Sequence, residues 1–360
     1  MDLFKSLPKV ELHAHLGGSA RQSSIEKWLR DYCDYSPDTA SIRGRQMIIP
    51  RVGGAPLEGE DYDGFAIVNE AHGDRLELIE QMVHEYLDDC FHDGIRYVEL
   101  RTGGSNIERL RTIHKAMESS PIPARLIVSI KRSDTPDAAW LTVRNAVDVG
   151  AIAIDFCGTN TVDYQFNDDF AEAIRWAKSK GLKFVPHFAE FRGEQDLDAI
   201  LACEPDRLGH CCFPNTDVHK ERKIPIECCL ASNLNTLRRD GHIQITPYEG
   251  QHNPLIALDH QVVKWHKQRH PFALCCDNVG LLQCSLSEIY KFAAEAIVAS
   301  KYPTDQQKNL DFERDQDLMR QVYQTAWELS MNAVDCILDG EEVKSHLRQQ
   351  LSTRGTTLSP

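Results

Sequence analysis

No C-x-x-C occurs in this chain, and neither G-x-G-x-x-G nor G-x-x-x-x-G-K-[ST] is present. The first absence removes the common structural-zinc and dithiol redox spacings. The second removes the phosphate-cradling turns of dinucleotide-binding and P-loop folds. Positive charge is in deficit, with 40 Lys and Arg against 54 Asp and Glu and a formal net charge of −14. Phosphate backbones select basic surfaces, so no nucleic-acid partner is expected. No apolar run approaches the about 20 residues a membrane span needs, and the N-terminus lacks a charged-then-apolar signal. The expected setting is the cytoplasm, with no membrane partner and a monomeric chain.

Cysteine is not scarce. The 12 cysteines include the adjacent pairs Cys211-Cys212, Cys228-Cys229 and Cys275-Cys276. Neighbours on a strand face opposite ways, so these pairs suit packing better than disulfide bonding. Buried free thiols are the expectation, with an accessory thiol near a metal the lesser alternative. A hydrophobic content of 42% and a charged content of 26% describe an ordinary globular chain, large enough to need no disulfide staples.

Short apolar runs at 10–13, 96–101, 125–130, 151–156, 183–187, 207–211, 224–230 and 272–276 alternate with amphipathic stretches such as 107–117, 138–149, 169–180 and 255–267. Eight such runs, several apolar throughout as doubly covered strands should be, suit a closed parallel barrel. The fold class is α/β, a (β/α)8 barrel of the TIM type forming one domain over 1–360. An open doubly wound sheet is the competitor, but its glycine-rich turn is missing. Two regions break the rhythm. Residues 34–63 are rich in Gly, Pro and charge and 65–90 look helical, so 34–92 is expected to be a helical lid inserted after the first strand. Beyond Ser285 the chain turns mostly helical and polar, giving extra helices over 285–351, and 352–360 should fray.

Four of the runs end on residues that bind metals: His13-Ala14-His15, Pro186-His187, Gly209-His210 and Cys276-Asp277. Residues two apart on a strand point the same way, so the first run aims two imidazoles at one spot. One His-x-His is weak evidence, since a buried histidine is more often a core residue. Four strand ends meeting at the C-terminal face of a barrel suggest a hydrolytic metal centre.

These segments also carry a resemblance. Leu7-Pro8-Lys9-Val10-Glu11-Leu12-His13-Ala14-His15-Leu16 resembles the opening of the adenosine and AMP deaminase family. So do Ala153-Ile154-Asp155-Phe156-Cys157-Gly158, His187-Phe188-Ala189-Glu190, Arg207-Leu208-Gly209-His210 and the Asp277 segment, in register from about Leu7 to Leu282. Glu227-Cys228-Cys229-Leu230-Ala231-Ser232-Asn233 looks most like the adenosine-deaminase-like branch, which acts on N6-methyl-AMP and related nucleotides. The resemblance implies one Zn2+ per chain held by His13, His15, His187 and Asp277, with one position open, as befits a catalytic site. It implies His210 as proton acceptor and Asp277 as both ligand and hydrogen-bond acceptor. Glu190 would protonate the purine nitrogen beside the attacked carbon, a role that needs a dry pocket, for which Phe188 and Phe191 are at hand. Gly158 would let its backbone N–H reach the ring; a plain turn glycine is the alternative. Asp155 fits a hydrogen-bond partner of a ligand better than a catalytic group. The P-C-x-x-C of deaminases acting on nucleic-acid bases is absent.

The departures cluster on substrate recognition. Asn278 stands where the family has a second Asp; its amide donates without protonation. Gly17 replaces an acidic or amide side chain that reads the sugar or ring. Arg101-Thr102-Gly103-Gly104-Ser105 lacks the arginine the nucleotide branch carries there. Lys131 stands where that branch is acidic, and with Arg132 and the Gly103-Gly104-Ser105 backbone it offers an anion site; solvated surface charge is the alternative. His72 falls where the branch has a substrate-contacting histidine. Substrate contacts are therefore expected from His15, Gly17, His72, Thr102, Gly103, Gly104, Ser105, Lys131, Gly158 and Asn278. The expected partner is a purine nucleotide or nucleoside, deaminated at C6, with N6-methyl-AMP first and adenosine, AMP or adenine behind it. A catalytically silent purine-binding barrel, or a hydrolase of another amino-heterocycle, is the alternative.

Overall fold

The expected runs become strands because both of their faces are covered. The computed structural model describes residues 3–33, 62–158, 165–213, 223–239, 257–258, 260–307 and 309–355. Its strands are β1 (Lys9–His15), β2 (Ile95–Gly103), β3 (Ala124–Lys131), β4 (Ala153–Cys157), β5 (Lys183–Phe184), β6 (His187–Phe188), β7 (Leu208–His210), β8 (Ile226–Cys229) and β9 (Phe272–Cys275). All pair in parallel, in the orders β1-β2-β3-β4-β5 and β6-β7-β8-β9. Each falls on one of the apolar runs, with ends shifted by a residue or two.

The fifth run, expected as a continuous strand, is split at Val185-Pro186. Val185 still donates to Ile154 O at 2.9 Å, on the β4 side. Pro186 has no N–H to continue that ladder. Its carbonyl instead accepts from Gly209 at 2.8 Å, and His187 then pairs with Gly209 of β7. The strand thus changes partner as it delivers His187. At the other seam Asp277 N donates to His13 O at 2.8 Å and His15 N to Asp277 O at 2.9 Å. The ring of eight strands is closed by backbone bonds between residues that carry the site.

Helices follow where caps start them. Asn106, Thr135 and Asn167 accept from first-turn N–H groups of Ile107–Glu118, Pro136–Asp148 and Asp168–Ser179; such caps contribute about 1 kcal/mol each. The stretch 255–267 begins its helix only at Gln261 (Gln261–Gln268), capped by His260; 255, 256 and 259 lie outside the described residues. The run 65–90 is two helices, Tyr62–His72 and Leu76–His92, broken at Gly73 and Asp74, both in the left-handed region. Of the expected lid, 34–61 lies outside the described residues, as does 356–360 of the expected frayed end.

The C-terminal region is less polar than expected. Leu286–Ala299 buries nearly every side chain, packed against both β9 and the helix Gln316–Ala333. Beyond it Cys336 O and Leu338 N reach Arg207 and Glu99 in the barrel interior, at 2.6 and 2.9 Å. Among the described residues no helix is long and apolar enough to cross a membrane.

Candidate active site

The strand ends bring their histidines together. The rings of His13, His187 and His210 have centroids 4.8–4.9 Å apart, and His15 lies 5.3 Å from His13. His15 Nε2 is 3.1 Å from His187 Nε2 and 3.6 Å from Asp277 Oδ1, which is 3.7 Å from His13 Nε2. Holding the turn this way strains the backbone: His210 (φ 62°), Asp277 (φ 67°) and Ala189 (φ 50°) occupy the left-handed region, which non-glycine residues avoid.

Three of the four imidazoles, those of His13, His187 and His210, are set by a partner on the far side of the ring. His13 Nδ1 donates to Glu227 Oε2 at 2.5 Å and His187 Nδ1 to Asp155 Oδ1 at 2.8 Å. His210 Nδ1 donates to Asn233 Oδ1 at 3.0 Å, while Asn233 Nδ2 returns a bond to His210 O at 3.2 Å. These bonds fix tautomers that leave Nε2 lone pairs pointing at one another. Burial, and then the neighbouring Arg101 or His187 charge, hold His13 and His15 well below the usual imidazole range; burial pushes His210 down to about 4. Burial would lower His187 as well, but the Asp155 carboxylate pushes it up.

Four neutral or carboxylate-paired imidazoles around Asp277 fit a divalent cation. His13 Nε2 is buried without a hydrogen-bond partner among the described residues, an orphaning that a bound ion removes, and His210 Nε2 beside it is likewise unpartnered. Candidate ligand atoms of His13, His15 and His187, and of His13, His210, Cys229 and Asp277, each lie within 4.8 Å of one another. Cys229 thus adjoins the cluster, as the accessory-thiol alternative allowed, but burial pushes its thiol up and it sits against Glu227 O. All 12 cysteines are free.

Behind the histidines lies a charge network that the sequence reading missed. Glu227 accepts from His13, from Arg101 Nη2 at 2.8 Å and from Arg207 Nε at 2.6 Å. Arg207 also bonds Glu99, and Glu11 accepts from His13 N and Cys276 N at 3.0 Å, tying β1 to the end of β9. The signal was available: Glu11, Glu99, Arg101, Arg207 and Glu227 are charges set inside or beside apolar strands, and buried charges are rarely unpartnered.

The cluster opens on one edge. The side chains of His15 and Glu190 are 16% and 15% exposed, against 0% for His13 and 1% for His210. Glu190 Oε1 stands 3.8 Å from His210 Nε2. The helix Tyr62–His72 covers the His15 side, with the Phe65 ring 6.3 Å from that of His15. A Cβ on Gly17 would lie 3.6 Å from Phe65, an ordinary contact. Gly18 carries the stricter demand. A Cβ there would fall 1.9 Å from Asn278 Oδ1, so its absence is what admits the Asn278 side chain.

The expected substrate-contacting set divides. Lys131 is exposed at the end of β3, alongside Gly103, and has no ion-pair partner among the described residues. Thr102 is buried at the end of β2 and Ser105 is exposed beside the cap Asn106. Gly158 has φ 109°, which itself requires glycine. Three of the expected residues have structural duties of their own. Arg132 is no anion donor, because it is buried against Asp196 and Glu194 and stacked over Phe156. Gly104 is glycine for packing: a Cβ would lie 2.4 Å from Thr142 and Val128, and its carbonyl accepts from Asn145. His72 is 1% exposed and spends both ring nitrogens on Asp74 N and Asn69 Oδ1, closing the turn between two helices.

A parallel barrel whose C-terminal mouth gathers imidazoles, a carboxylate and an adjacent acid defines a metal-dependent aminohydrolase. Residues 8–310 match the family model described as Adenosine deaminase, and the chain belongs to that family. It is 29% identical to the N6-methyl-AMP deaminase of Danio rerio over 83% of this chain and 88% of that one. It is 26% identical to N6-methyl-AMP deaminase-L of Xenopus laevis over 97% and 94%. The fold matches the crystal structure of Arabidopsis ADAL complexed with IMP, with a TM-score of 0.76, 24% identity and 98% of each chain covered.

Proposed function

We propose that this chain is a zinc enzyme that removes the amine from C6 of a purine nucleotide, with N6-methyl-AMP, giving IMP and methylamine, as its first substrate. His13, His15, His187 and Asp277 would hold the zinc. When bound, that ion supplies a Lewis acid that makes hydroxide available near neutral pH. His210, neutral and with its Nε2 lone pair facing the cluster, accepts the proton that water gives up. Glu190 donates a proton to the ring nitrogen beside C6, so charge collects on nitrogen as the C6–O bond forms. The C6–N bond then breaks as the amine takes up the proton His210 had accepted, and the new C6 hydroxyl gives its proton back to Glu190 as it becomes the carbonyl. The observation that carries this reading is the 3.8 Å approach of His210 Nε2 and Glu190 Oε1 at the open edge of the proposed ligand cluster, which would give the substrate a proton acceptor and a proton donor on one face. Lys131 beside Gly103 supports an anionic 5′ group, and the N6-methyl-AMP deaminases among its relatives support the choice of nucleotide.

The test is zinc analysis joined to amine release from 6-substituted purines with and without a 5′-phosphate. About one zinc per chain and fastest release from N6-methyl-AMP are expected. Zinc without amine release from any aminopurine would mark a silent binding barrel, and product without amine loss another hydrolase. Asn278→Asp exchanges a permanent N–H donor for a group that donates only when protonated. Relative rates across the panel are expected to change by roughly tenfold, the worth of one hydrogen bond, at unchanged zinc content. Identical relative rates would remove Asn278 from substrate recognition.

A further inference from the structure

The loop that carries Glu190 is held by a second carboxylate that the reaction does not use. Glu194 is buried, and its two oxygens take three consecutive backbone N–H groups: Ala189 on Oε2 at 2.9 Å, and Glu190 and Phe191 on Oε1 at 3.0 Å each. Those three amides are collected into one concavity because Ala189 turns into the left-handed region, a conformation without the ease glycine would give it. Arg132 supplies the counter-charge, with Nη2 3.7 Å from Glu194 Oε2, and is itself pinned by Asp196. Asp196 in turn accepts from Phe166 N at 2.8 Å, so the clasp is anchored beyond its own loop.

We propose that Glu194 is a positioning residue for Glu190: its carboxylate fixes the peptide units on both sides of the acid and so sets where that acid's proton is delivered. This rests on the proposed acid role of Glu190. An acceptor-only group is required, because each amide points a hydrogen at it and a carboxylate alone offers enough lone pairs with no hydrogen of its own. Glutamine at 194 has the same shape but turns an N–H toward one of the three donors. The metal ligands are not touched by that change, and neither is the His15 edge.

Methylamine release from N6-methyl-AMP, read as kcat and KM separately alongside zinc content, tests the role in a double-mutant cycle. Glu194→Gln is expected to lower kcat by about 10²-fold, the scale of a displaced catalytic group, with KM within about twofold and zinc unchanged. In a Glu190→Gln background the same change is expected to cost nothing further, because a misplaced group that has already been removed cannot be lost twice. Should Glu194→Gln fail to fold, Glu194→Asp carries the test: it keeps the charge but withdraws it by one methylene, and the same kcat-only loss, absent in the Glu190→Gln background, is expected. A full-rate Glu194 variant beside a slow Glu190→Gln overturns the positioning role, as does an equal loss in both backgrounds. An unaffected Glu190→Gln overturns the acid assignment instead.

Discussion

Glu190→Gln is expected to keep its zinc and to lose about 10²–10⁴-fold in kcat, the usual contribution of a positioned proton donor. The amide matches the carboxyl in shape but has no proton to give to the purine ring. Glu190 lies at the open edge of the cluster, beside His210 and outside the proposed ligand set of His13, His15, His187 and Asp277. Metal content should therefore be unaffected, and the loss should fall on turnover. The measurement is methylamine release at saturating N6-methyl-AMP with zinc determined on the same sample. A wild-type rate, or a loss of zinc in proportion to the loss of rate, would show that Glu190 does something else.

Glu227→Ala should be the most damaging single change in the barrel interior. One fully buried carboxylate pairs with both Arg101 and Arg207 and accepts from His13 Nδ1. Removing it leaves two guanidinium groups without that partner where water cannot reach them. Breaking a buried ion pair in this way costs about 3–5 kcal/mol of stability. Loss of a ligand's hydrogen-bond partner weakens metal binding about 10–100-fold. Both effects are expected together, seen as a lower denaturant midpoint and faster surrender of zinc to a chelator. Glu227→Gln, which keeps the shape and one acceptor, should fall between. An unchanged midpoint and unchanged zinc retention in Glu227→Ala would mean that the network does not hold the site.

The barrel and the proposed ligands were legible because they depend on short-range pattern. An apolar run ending in His13, His187, His210 or Asp277 states both a strand and what sits at its mouth. Of the supporting shell only Asp155, read as a ligand's hydrogen-bond partner and found on His187, was legible; the rest was not, because its geometry is tertiary. Glu227 and Arg207 meet His13 only after the ring closes, and Glu194 meets the amides of Ala189, Glu190 and Phe191 only because Ala189 turns left-handed. Arg132 shows the opposite error: a cation near a strand end suggested an anion site, whereas the fold supplies its own anions in Asp196 and Glu194. The break at Val185-Pro186 was written in the proline, but whether one proline splits a strand or merely ends it depends on which neighbour takes the next hydrogen bond.

The family match stops at residue 310, but the folding unit does not. Arg207 donates to Cys336 O, Glu99 accepts from Leu338 N, and Ser330 reaches back to Pro8 O. A chain ended at residue 310 would retain every side chain proposed for chemistry and still lack the floor on which they stand. Such a fragment is expected to be insoluble, and the edge of the family model would then be the wrong guide to where this protein can be cut.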